Sequence, residues 1–477
     1  MVAAVPQLPD ATAAKLPRWR GFNLLEKFTV SQNKPFVETD FAWIAKWGFD
    51  FVRLPMDYRC WAQTPEAAFD EQTLRDIDQA VGWGKQYGVH VNLNFHRGPG
   101  YCVNPPKEKY DLWSDPLIQS QFARHWGVFA KRYAGIGGSQ LSFDLINEPP
   151  TIDGATYAAA LKPAIEAIRA ADPQRLIIAD GVSWGGTPVQ ELVPFGIAQS
   201  THSYVPMQLS HYKASWINGS DKFPLPVWPV PAGLNSFLYG PKKPDFTSAL
   251  TLQVQCPQAA QFSIHVDHVC YQAGLVVKAD GAVVLQHLFQ PAPGDGEWIK
   301  SAPNRWGGYE ADYDNDYTAA IPAGTREIEV SLDQGDWLRF SAIRFNGTVI
   351  QPADNSWGVK QEAFVVDANG AQPVNLRYSC SKQILWDQRV KPWLALAAKG
   401  VGVHVGEWGS YNHTPHEVSL AWMRDCLENW RAAGFGWALW NFRGTFGILD
   451  SDRKDVAYEN FQGHLLDRRM LDLLRAS

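Results

Sequence analysis

A regular alternation of short apolar runs and longer segments of helical period is the feature that most constrains this chain. Six such pairs follow one another between Trp19 and Tyr204, and two more follow residue 379. The apolar runs are RGFNLL, DFVRLP, HVNLNFH, LSFDLINE, RLIIAD, IAQSTHSY, VGVHVGE and FGWALWNF. Strands that alternate with helices form parallel sheets, and eight such units close a barrel. The sequence therefore predicts an α/β fold built on a TIM (β/α)8 barrel in which each strand has a helix.

A different pattern interrupts this alternation after the sixth strand. From about Asn235 to Tyr378 the chain has strand-like runs without helical segments, separated by turns rich in Gly and Pro. The Asp-Gly pair in LVVKADGAVVLQ is typical of a tight β-hairpin. We therefore predict an N-terminal extension at residues 1–16, a barrel formed by residues 17–235 and 379–477, and an antiparallel β-sandwich inserted at residues 236–378.

The composition narrows the class of partner. The chain has a net charge of -6, with 19% charged residues and no basic block. Surfaces that bind nucleic acid need clustered Lys and Arg, so we predict no nucleic-acid partner. By contrast, 21 of the 477 residues are Trp, and flat aromatic faces stack well on sugar rings. The composition therefore favours a sugar as the partner.

The expected localisation depends on the first residues. The stretch MVAAVPQLPDATAAKLPRWR lacks the apolar core of a signal peptide. As it stands the sequence predicts a cytoplasmic protein, or a secreted or periplasmic one if a leader was removed. No apolar run approaches the roughly 18 residues of a membrane span. We therefore predict no membrane association, and we expect a monomer.

Polar and aromatic side chains mark the predicted carboxyl ends of the strands, which form the active-site face of such a barrel. They are Arg53, His96, Asn147, Glu148, His202, Tyr204, Glu407 and Trp440. A single glutamate at a strand end is usually a solvated loop residue. Glu148 in FDLINEPP and Glu407 in GVHVGEWGS end the fourth and seventh strands, however, so they face each other across the mouth. Glycoside cleavage needs such a pair, one carboxyl protonated and the other ionised.

These motifs resemble those of glycoside hydrolase family 5, the cellulase family of retaining barrel glycosidases. The resemblance rests on RGFNLLEKF, DFVRLPM, HVNLNFH, LINEPP, THSYVP, VGEWG and GWALWNF in that order. It implies that Glu148 is the general acid/base, that Glu407 is the nucleophile, and that Asn147 donates to the sugar 2-hydroxyl. The remaining matched positions are implied to bind sugar or orient the acid: Arg53, His96, His202, Tyr204 and Trp440.

The resemblance implies a retaining glycoside hydrolase, endo- or exo-acting, that cleaves β-linked glucans or gluco-oligosaccharides. A β-mannan or β-mannoside hydrolase of the same family and a non-catalytic carbohydrate-binding barrel are the alternatives. In the retaining mechanism Glu407 must stay ionised, which Arg53 and the Tyr204 hydroxyl favour, whereas Glu148 must be partly protonated. We expect the two carboxyl groups about 5 to 5.5 Å apart.

Two loop tryptophans are candidates for neighbouring sugar subsites: Trp113, in the loop after the third strand, and Trp184, in the loop after the fifth. The first of these loops, HRGPGYCVNPPKEKYDLW, is long, and a long loop at the mouth favours a closed pocket and exo action or a short substrate. Trp437 is predicted to be core because strand alternation points it away from Trp440.

We predict neither a metal nor a cofactor. The six cysteines form no Cys-x-x-Cys motif, and HSYVPMQLSH matches no His-x3-His pattern. His90, Asn92 and Asn94 are predicted to line the barrel interior as hydrogen-bonded filler. No chemistry is assigned to Asp144, which lies a layer below Glu148, or to His404, whose strand parity is opposite to that of Glu407.

The inserted sandwich is predicted to be carbohydrate-binding-like. Five aromatic residues are candidates for a stacking surface: Trp298, Trp306, Tyr309, Trp337 and Trp357. The alternative is that they fill the sandwich core, and the alternation in GDWLRFSAIRF predicts this for Trp337. Trp306 and Tyr309 lie in a predicted exposed loop, from which one of them is expected to shape the substrate entrance.

Overall fold

The computed structural model describes residues 8–353, 355–368, 370–375 and 377–477. The chain divides into two compact units, one formed by the residues up to Pro229 with Ser381–Ser477 and the other by Val230–Cys380. Part of the predicted N-terminal extension, residues 1–7, lies outside the described residues. From the rest of it, Leu16 packs with Trp19 in a small apolar cluster on the barrel.

The first unit is a closed barrel of eight parallel strands. Each strand pairs with its neighbours in chain order, and the first strand also pairs with the eighth, with Arg20 opposite Trp437. The barrel strands are Arg20–Asn23, Phe51–Asp57, His90–Gly98, Leu141–Asp144, Leu176–Asp180, Ala198–Ser203, Val403–Trp408 and Gly436–Leu439. A short strand, Tyr101–Cys102, adds to the third. The predicted fold class is therefore confirmed.

Helices cover the outside of this barrel. The principal ones are Glu38–Lys46, Glu71–Tyr87, Pro116–Arg132, Gly154–Ala171, Lys391–Ala397, His416–Ala433 and Arg468–Arg475. The second helix shows how the sequence sets these bounds: the Asp70 side chain accepts from the backbone N–H groups of Gln72 and Thr73, and Gly88 ends the helix at φ +69°.

The prediction of a helix after every strand is wrong at the fifth. That strand is followed only by the short helical turns Val182–Gly185 and Gln190–Phe195. Pro188 and Pro194 lie in this segment, and proline interrupts helical hydrogen bonding. The segment therefore stays a loop at the mouth of the barrel.

The fourth strand also differs from prediction, since it ends at Asp144 rather than at Glu148. Beyond it, the Leu145 N–H donates to Ile178 O on one neighbouring strand and the Asn147 N–H to Phe95 O on the other. Because these bonds go to both sides in turn, the segment is held between the strands without forming a regular ladder.

The second unit is the inserted β-sandwich. Its two longest strands, Ala260–Ala279 and Glu327–Phe345, pair antiparallel over most of their length with several register shifts. The predicted hairpin is confirmed, because Asp280 and Gly281 both have positive φ and Ala279 pairs with Ala282. The remaining strands are Phe237–Tyr239, Leu250–Gln253, Ala282–Phe289, Lys300–Pro303, Tyr309–Ile321, Thr348–Ile350, Ala363–Asp367 and Gly370–Pro373.

Pairing in this unit is antiparallel except between Leu250–Gln253 and Ala363–Asp367. Two further strands, Val230–Pro231 and Tyr378–Cys380, pair where the chain enters and leaves the unit. Its core is made by apolar side chains that alternate along the long strands, such as Phe262, Ile264 and Val266. Across the described residues of both units, none of the helices combines the length and the apolar character that a membrane span requires.

Candidate active site

Glu148 and Glu407 approach each other at the carboxyl end of the barrel. One carboxylate oxygen from each lies within 4.8 Å of the other, in a group that includes a ring nitrogen of His202. The Glu407 side chain is only 5% exposed, whereas the Glu148 side chain is 16% exposed. One carboxylate is therefore held inside the barrel and the other opens toward the mouth.

Arg53, from the second strand, holds the buried carboxylate in place. Its Nη1 donates to Glu407 Oε1 at 2.6 Å, its Nε to Asp144 Oδ2 at 2.9 Å and its Nη2 to Asn147 Oδ1 at 2.8 Å. Burial alone would lower the pKa of this guanidinium, but Asp144 and Glu407 raise it above its ordinary value. Arg53 is thus a permanent cation that fixes three side chains of the site.

Tyr204 supplies a second donor to Glu407, since its hydroxyl lies 3.2 Å from Oε2. Burial raises the pKa of Tyr204 well above its usual range, so the hydroxyl keeps its proton. Burial also raises the pKa of Glu407, while His202 and Arg53 act against this rise. The predicted donors are therefore present, but they do not fully offset the loss of hydration at Glu407.

His202 lies between the two carboxylates. Its Nδ1 is 2.9 Å from Glu148 Oε1 and 3.6 Å from Glu407 Oε2, and its Nε2 is 3.1 Å from Asp180 Oδ2. Burial alone would lower the pKa of His202, but Asp180 and Glu407 raise it well above its ordinary value. The two carboxylates therefore favour the protonated form of the imidazole.

Glu148, His202 and Glu407 are close enough together to ligate a metal ion. Their charges argue against it, because a ligating imidazole must be unprotonated and Arg53 already neutralises Glu407. The absence of a metal ion stays a prediction.

Asp180, the last residue of the fifth strand, belongs to the site although the sequence analysis did not single it out. Its Oδ2 accepts from the Glu148 backbone N–H at 3.0 Å and faces His202. Although burial raises the pKa of Asp180, His202 and Arg53 bring it below its ordinary value. The signal was available in the sequence, because RLIIAD places an acid at a strand end in the same way as the two glutamates.

Asn147 presents an unused donor to the site. Its Oδ1 is taken by Arg53, which leaves Nδ2 as the outward group. Nδ2 is buried and has no hydrogen-bond partner within the described part of the chain. A buried amide donor without a partner is costly, so a hydrogen-bond acceptor from a ligand is expected there.

The rings of Phe28, His96 and Trp440 pack against one another. The Phe28 ring centroid lies 4.5 Å from that of His96 and 5.4 Å from that of Trp440, and His96 lies 5.8 Å from Trp440. Burial and Arg53 lower the pKa of His96 well below its ordinary value, so this ring is neutral. Phe28 was not predicted. Trp437 is 1% exposed and is core, as predicted.

The two predicted loop tryptophans are both linked to the segment that carries Glu148. Trp113 packs 4.8 Å from the Tyr101 ring, and the Tyr101 hydroxyl donates to the Glu148 carbonyl at 2.6 Å. The Trp184 backbone N–H donates to Pro149 O, and its side chain is 53% exposed. Both loops are thereby tied to the segment that carries Glu148.

The long loop after the third strand is fixed by Arg97. Its guanidinium donates to the carbonyls of Asn104 and Pro106 and, at 2.6 Å, to Glu108 Oε1. Glu108 also accepts from the Tyr58 hydroxyl. The loop is therefore held in one conformation by buried charge.

A further exposed aromatic, Trp216, was missed. It lies in the loop after the sixth strand, is 54% exposed, and packs 4.8 Å from Tyr411 and 6.1 Å from His211. His211 in turn lies 5.0 Å from Tyr204. Aromatic side chains therefore extend from the Glu407 side of the mouth as well as from the Glu148 side.

The polar residues assigned to the barrel interior are buried below these groups. Asn92 donates to Ser142 Oγ, and His90 lies 2.7 Å from the same oxygen. Burial lowers the pKa of His90 and of His404 to about 3, so both rings are neutral. Asp144 alone among them touches a site residue, since it pairs with Arg53.

Comparison with known proteins gives the barrel its family. The cellulase (glycosyl hydrolase family 5) profile matches residues 10–224. Endoglucanase C of Acetivibrio thermocellus is 30% identical over 184 residues, which is 38% of this chain and 53% of that protein. Cellodextrinase A of Ruminococcus flavefaciens is 27% identical over 190 residues, 38% of this chain and 54% of that protein.

Among solved structures, a glycoside hydrolase crystal structure is 26% identical, covers 96% of this chain and 99% of its own, and has a TM-score of 0.62. The chain spans about half the length of the curated relatives it matches. The profile match confirms, over residues 10–224, the resemblance to glycoside hydrolase family 5 that the motifs predicted.

Proposed function

We propose that this chain is a retaining glycoside hydrolase that cleaves β-linked glucans or gluco-oligosaccharides by double displacement. The observation that carries the proposal is the approach of Glu148 and Glu407 to within 4.8 Å. Retaining glycosidases hold their carboxyl groups about 5 to 5.5 Å apart, whereas inverting enzymes leave about 6.5 to 9.5 Å for a water molecule. The short separation supports direct attack by one carboxylate.

In the first step the Glu407 carboxylate attacks the anomeric carbon, and the bond from that carbon to the leaving oxygen breaks. Glu148 transfers a proton to that oxygen. Arg53 and the Tyr204 hydroxyl orient Glu407 and favour its ionised form. The difference in exposure supports this division of roles, because the attacking group is fixed inside the barrel and the acid faces the mouth, where the leaving group departs.

In the second step the glycosyl ester on Glu407 is hydrolysed. Esterification removes the negative charge of Glu407, which lowers the proton affinity of Glu148. Glu148 then takes a proton from water as the water oxygen attacks the anomeric carbon, and Glu407 leaves as a carboxylate. Two inversions at one carbon give net retention.

His202 serves both steps as a positioning residue. Its protonated Nδ1 faces Glu148 and Glu407, while Asp180 holds the opposite nitrogen. Asp180 also accepts the backbone N–H of Glu148. Asp180 thus holds the main chain of Glu148, and His202, which faces Asp180, holds its side chain.

The substrate class follows from the remaining groups and from the relatives. The free Nδ2 of Asn147 suits the 2-hydroxyl of the sugar under attack, and Trp440 with His96 suits the sugar ring. Trp113 and Trp184, on the Glu148 side, suit the leaving sugar. The names endoglucanase C and cellodextrinase A support a glucan or a gluco-oligosaccharide as the substrate.

The proposal is tested by incubating the full chain with aryl β-glycosides and β-linked oligosaccharides of glucose and mannose, and following the first product by NMR. Release of a β-anomer from a β-glucoside is expected. Release of an α-anomer would overturn retention. Cleavage of mannosides alone would show that the substrate is a β-mannoside rather than a β-glucan. No hydrolysis by the folded protein would favour a non-catalytic carbohydrate-binding barrel.

A further inference from the structure

In the inserted unit, aromatic side chains from segments far apart in the sequence surround the exposed Trp357: Phe237, Tyr239, Phe246 and Trp337. The Trp357 ring centroid lies 5.1 Å from Tyr239, 5.4 Å from Phe237 and 5.4 Å from Trp337. Trp357 is 50% exposed. Trp337, which alternation predicted to be core, is only partly buried, so that prediction is wrong. We call these five residues the Trp357 surface.

The exposed ring is held in place by its surroundings. The Tyr239 hydroxyl accepts from the Gly358 N–H at 2.6 Å, next to Trp357 in the chain. Gly358 has φ +79°, a conformation that favours glycine. A Trp that is both exposed and fixed loses little conformational entropy when a flat ligand stacks on it.

Lys243 connects the Trp357 surface to a buried carboxylate. Its Nζ lies 6.0 Å from the Trp357 ring centroid and 3.5 Å from Asp336 Oδ1. The Asp336 side chain is 90% buried, and its Oδ1 has no hydrogen-bond partner among the residues that the structure describes. The His268 ring stacks on Trp337 at 5.3 Å, with an angle of 17° between the planes. A buried carboxylate with unused acceptor capacity is expected to receive a ligand hydroxyl.

We infer that the Trp357 surface is a second carbohydrate-binding site, formed by residues of the inserted unit, which holds a β-linked glucan chain. Stacking on Trp357 would bind the sugar ring, and Asp336 with His268 would accept and donate hydrogen bonds to its hydroxyls. The identity of the sugar rests on the proposed function. The net charge of -6 disfavours a nucleic acid as the stacked partner.

Trp306 offers a matched control within the same unit. It is 61% exposed, more than Trp357, and each ring has a cation nearby: the Arg305 guanidinium lies 4.4 Å from the Trp306 centroid and Lys243 Nζ lies 6.0 Å from the Trp357 centroid. Exposure alone would make Trp306 the better binder. Trp357 is expected to be the better binder only if the supporting rings and the carboxylate contribute to binding.

The test uses the full chain carrying Glu407→Gln, so that the ligand is not degraded, with swollen cellulose and a soluble mixed-linkage β-glucan as probes. Trp357→Ala is expected to weaken binding about tenfold or more, the loss of one strong contact. Asp336→Asn, which keeps the side-chain shape, is expected to weaken it several-fold. Trp306→Ala is expected to bind like the Glu407→Gln parent.

The inference would be overturned if the parent and both site variants bound the glucans equally well. It would also be overturned if Trp306→Ala lost as much binding as Trp357→Ala, or if the parent bound neither glucan. A thermal melt of each variant identifies misfolding, and Asp336→Asn decides the outcome if Trp357→Ala fails to fold. Hydrolysis of aryl glycosides by the unmodified chain is scored separately, so failure of the proposed function is distinguishable from failure at this surface.

Discussion

The Arg53 guanidinium donates to Glu407 Oε1 at 2.6 Å and so joins the second and seventh strands beneath the mouth of the barrel. The same side chain reaches Asp144 and Asn147. Charge, orientation and packing at the site therefore depend together on one residue.

Arg53→Met is expected to destabilise the protein as well as inactivate it. Removing the cation leaves Glu407 and Asp144 buried without their partner, and breaking a buried ion pair costs about 3 to 5 kcal/mol. Urea unfolding measures this loss. Arg53→Lys, which keeps the charge but not the fork of donors, is expected to recover part of the stability and little of the activity. Unchanged stability in Arg53→Met would contradict the described network.

Tyr204→Phe is expected to change the pH dependence of hydrolysis. Burial already raises the pKa of Glu407, so the ionised nucleophile is lost as pH falls through a value above that of an ordinary glutamate. Removing the Tyr204 donor disfavours the carboxylate further and moves the acid limb of kcat/KM to higher pH. The loss of one hydrogen bond to a charged group also lowers kcat/KM by about tenfold to a hundredfold. A pH profile with an unmoved acid limb would argue against this role.

His202→Gln is expected to lose stability mainly at low and neutral pH. The pKa of His202 is raised in the folded state, so its contribution is fully present below the unfolded pKa of about 6.5. That contribution is lost as pH rises through the folded pKa. Denaturant unfolding of both proteins across this range measures the difference. A difference that grows with pH would mean that the histidine is neutral in the folded protein.

Asn147→Ala is expected to lower kcat/KM on aryl β-glucosides by about tenfold to a hundredfold. The reason is that a hydrogen bond to the 2-hydroxyl strengthens in the transition state. The control is the matching 2-deoxy glucoside, on which the unmodified chain and Asn147→Ala are expected to differ little. An equal loss on both substrates would point to a structural role for Asn147.

The sequence predicted the barrel because the strand and helix periods persist over eight units. It placed Glu407 correctly near the end of its strand, but Glu148 lies four residues beyond the end of its strand. Asp180 escaped notice because an acid after an apolar run usually indicates a solvated turn. Phe28 and Trp216 lie in loops, where no periodicity shows which way a side chain points.

Trp337 was misplaced for a different reason. In its strand, Glu327–Phe345, Trp337 lies on the same face as the exposed Arg339, while Leu338 and Phe340 on the opposite face are buried. Alternation therefore holds from Trp337 to Phe340. The prediction failed because it put Trp337 on the buried face of the strand, whereas Trp437 was correctly assigned to the core.

The central claim, that Glu407 is the nucleophile of a retaining enzyme, is tested most directly by azide rescue of Glu407→Ala. Hydrolysis of an activated aryl β-glucoside is expected to fall by about 10⁴-fold or more, and azide is expected to restore turnover and yield the α-glucosyl azide. Glu148→Ala, the matched control, is expected to yield the β-glucosyl azide, because azide then replaces water in the second step. Failure of rescue in folded Glu407→Ala, or a β-azide from it, would contradict the account.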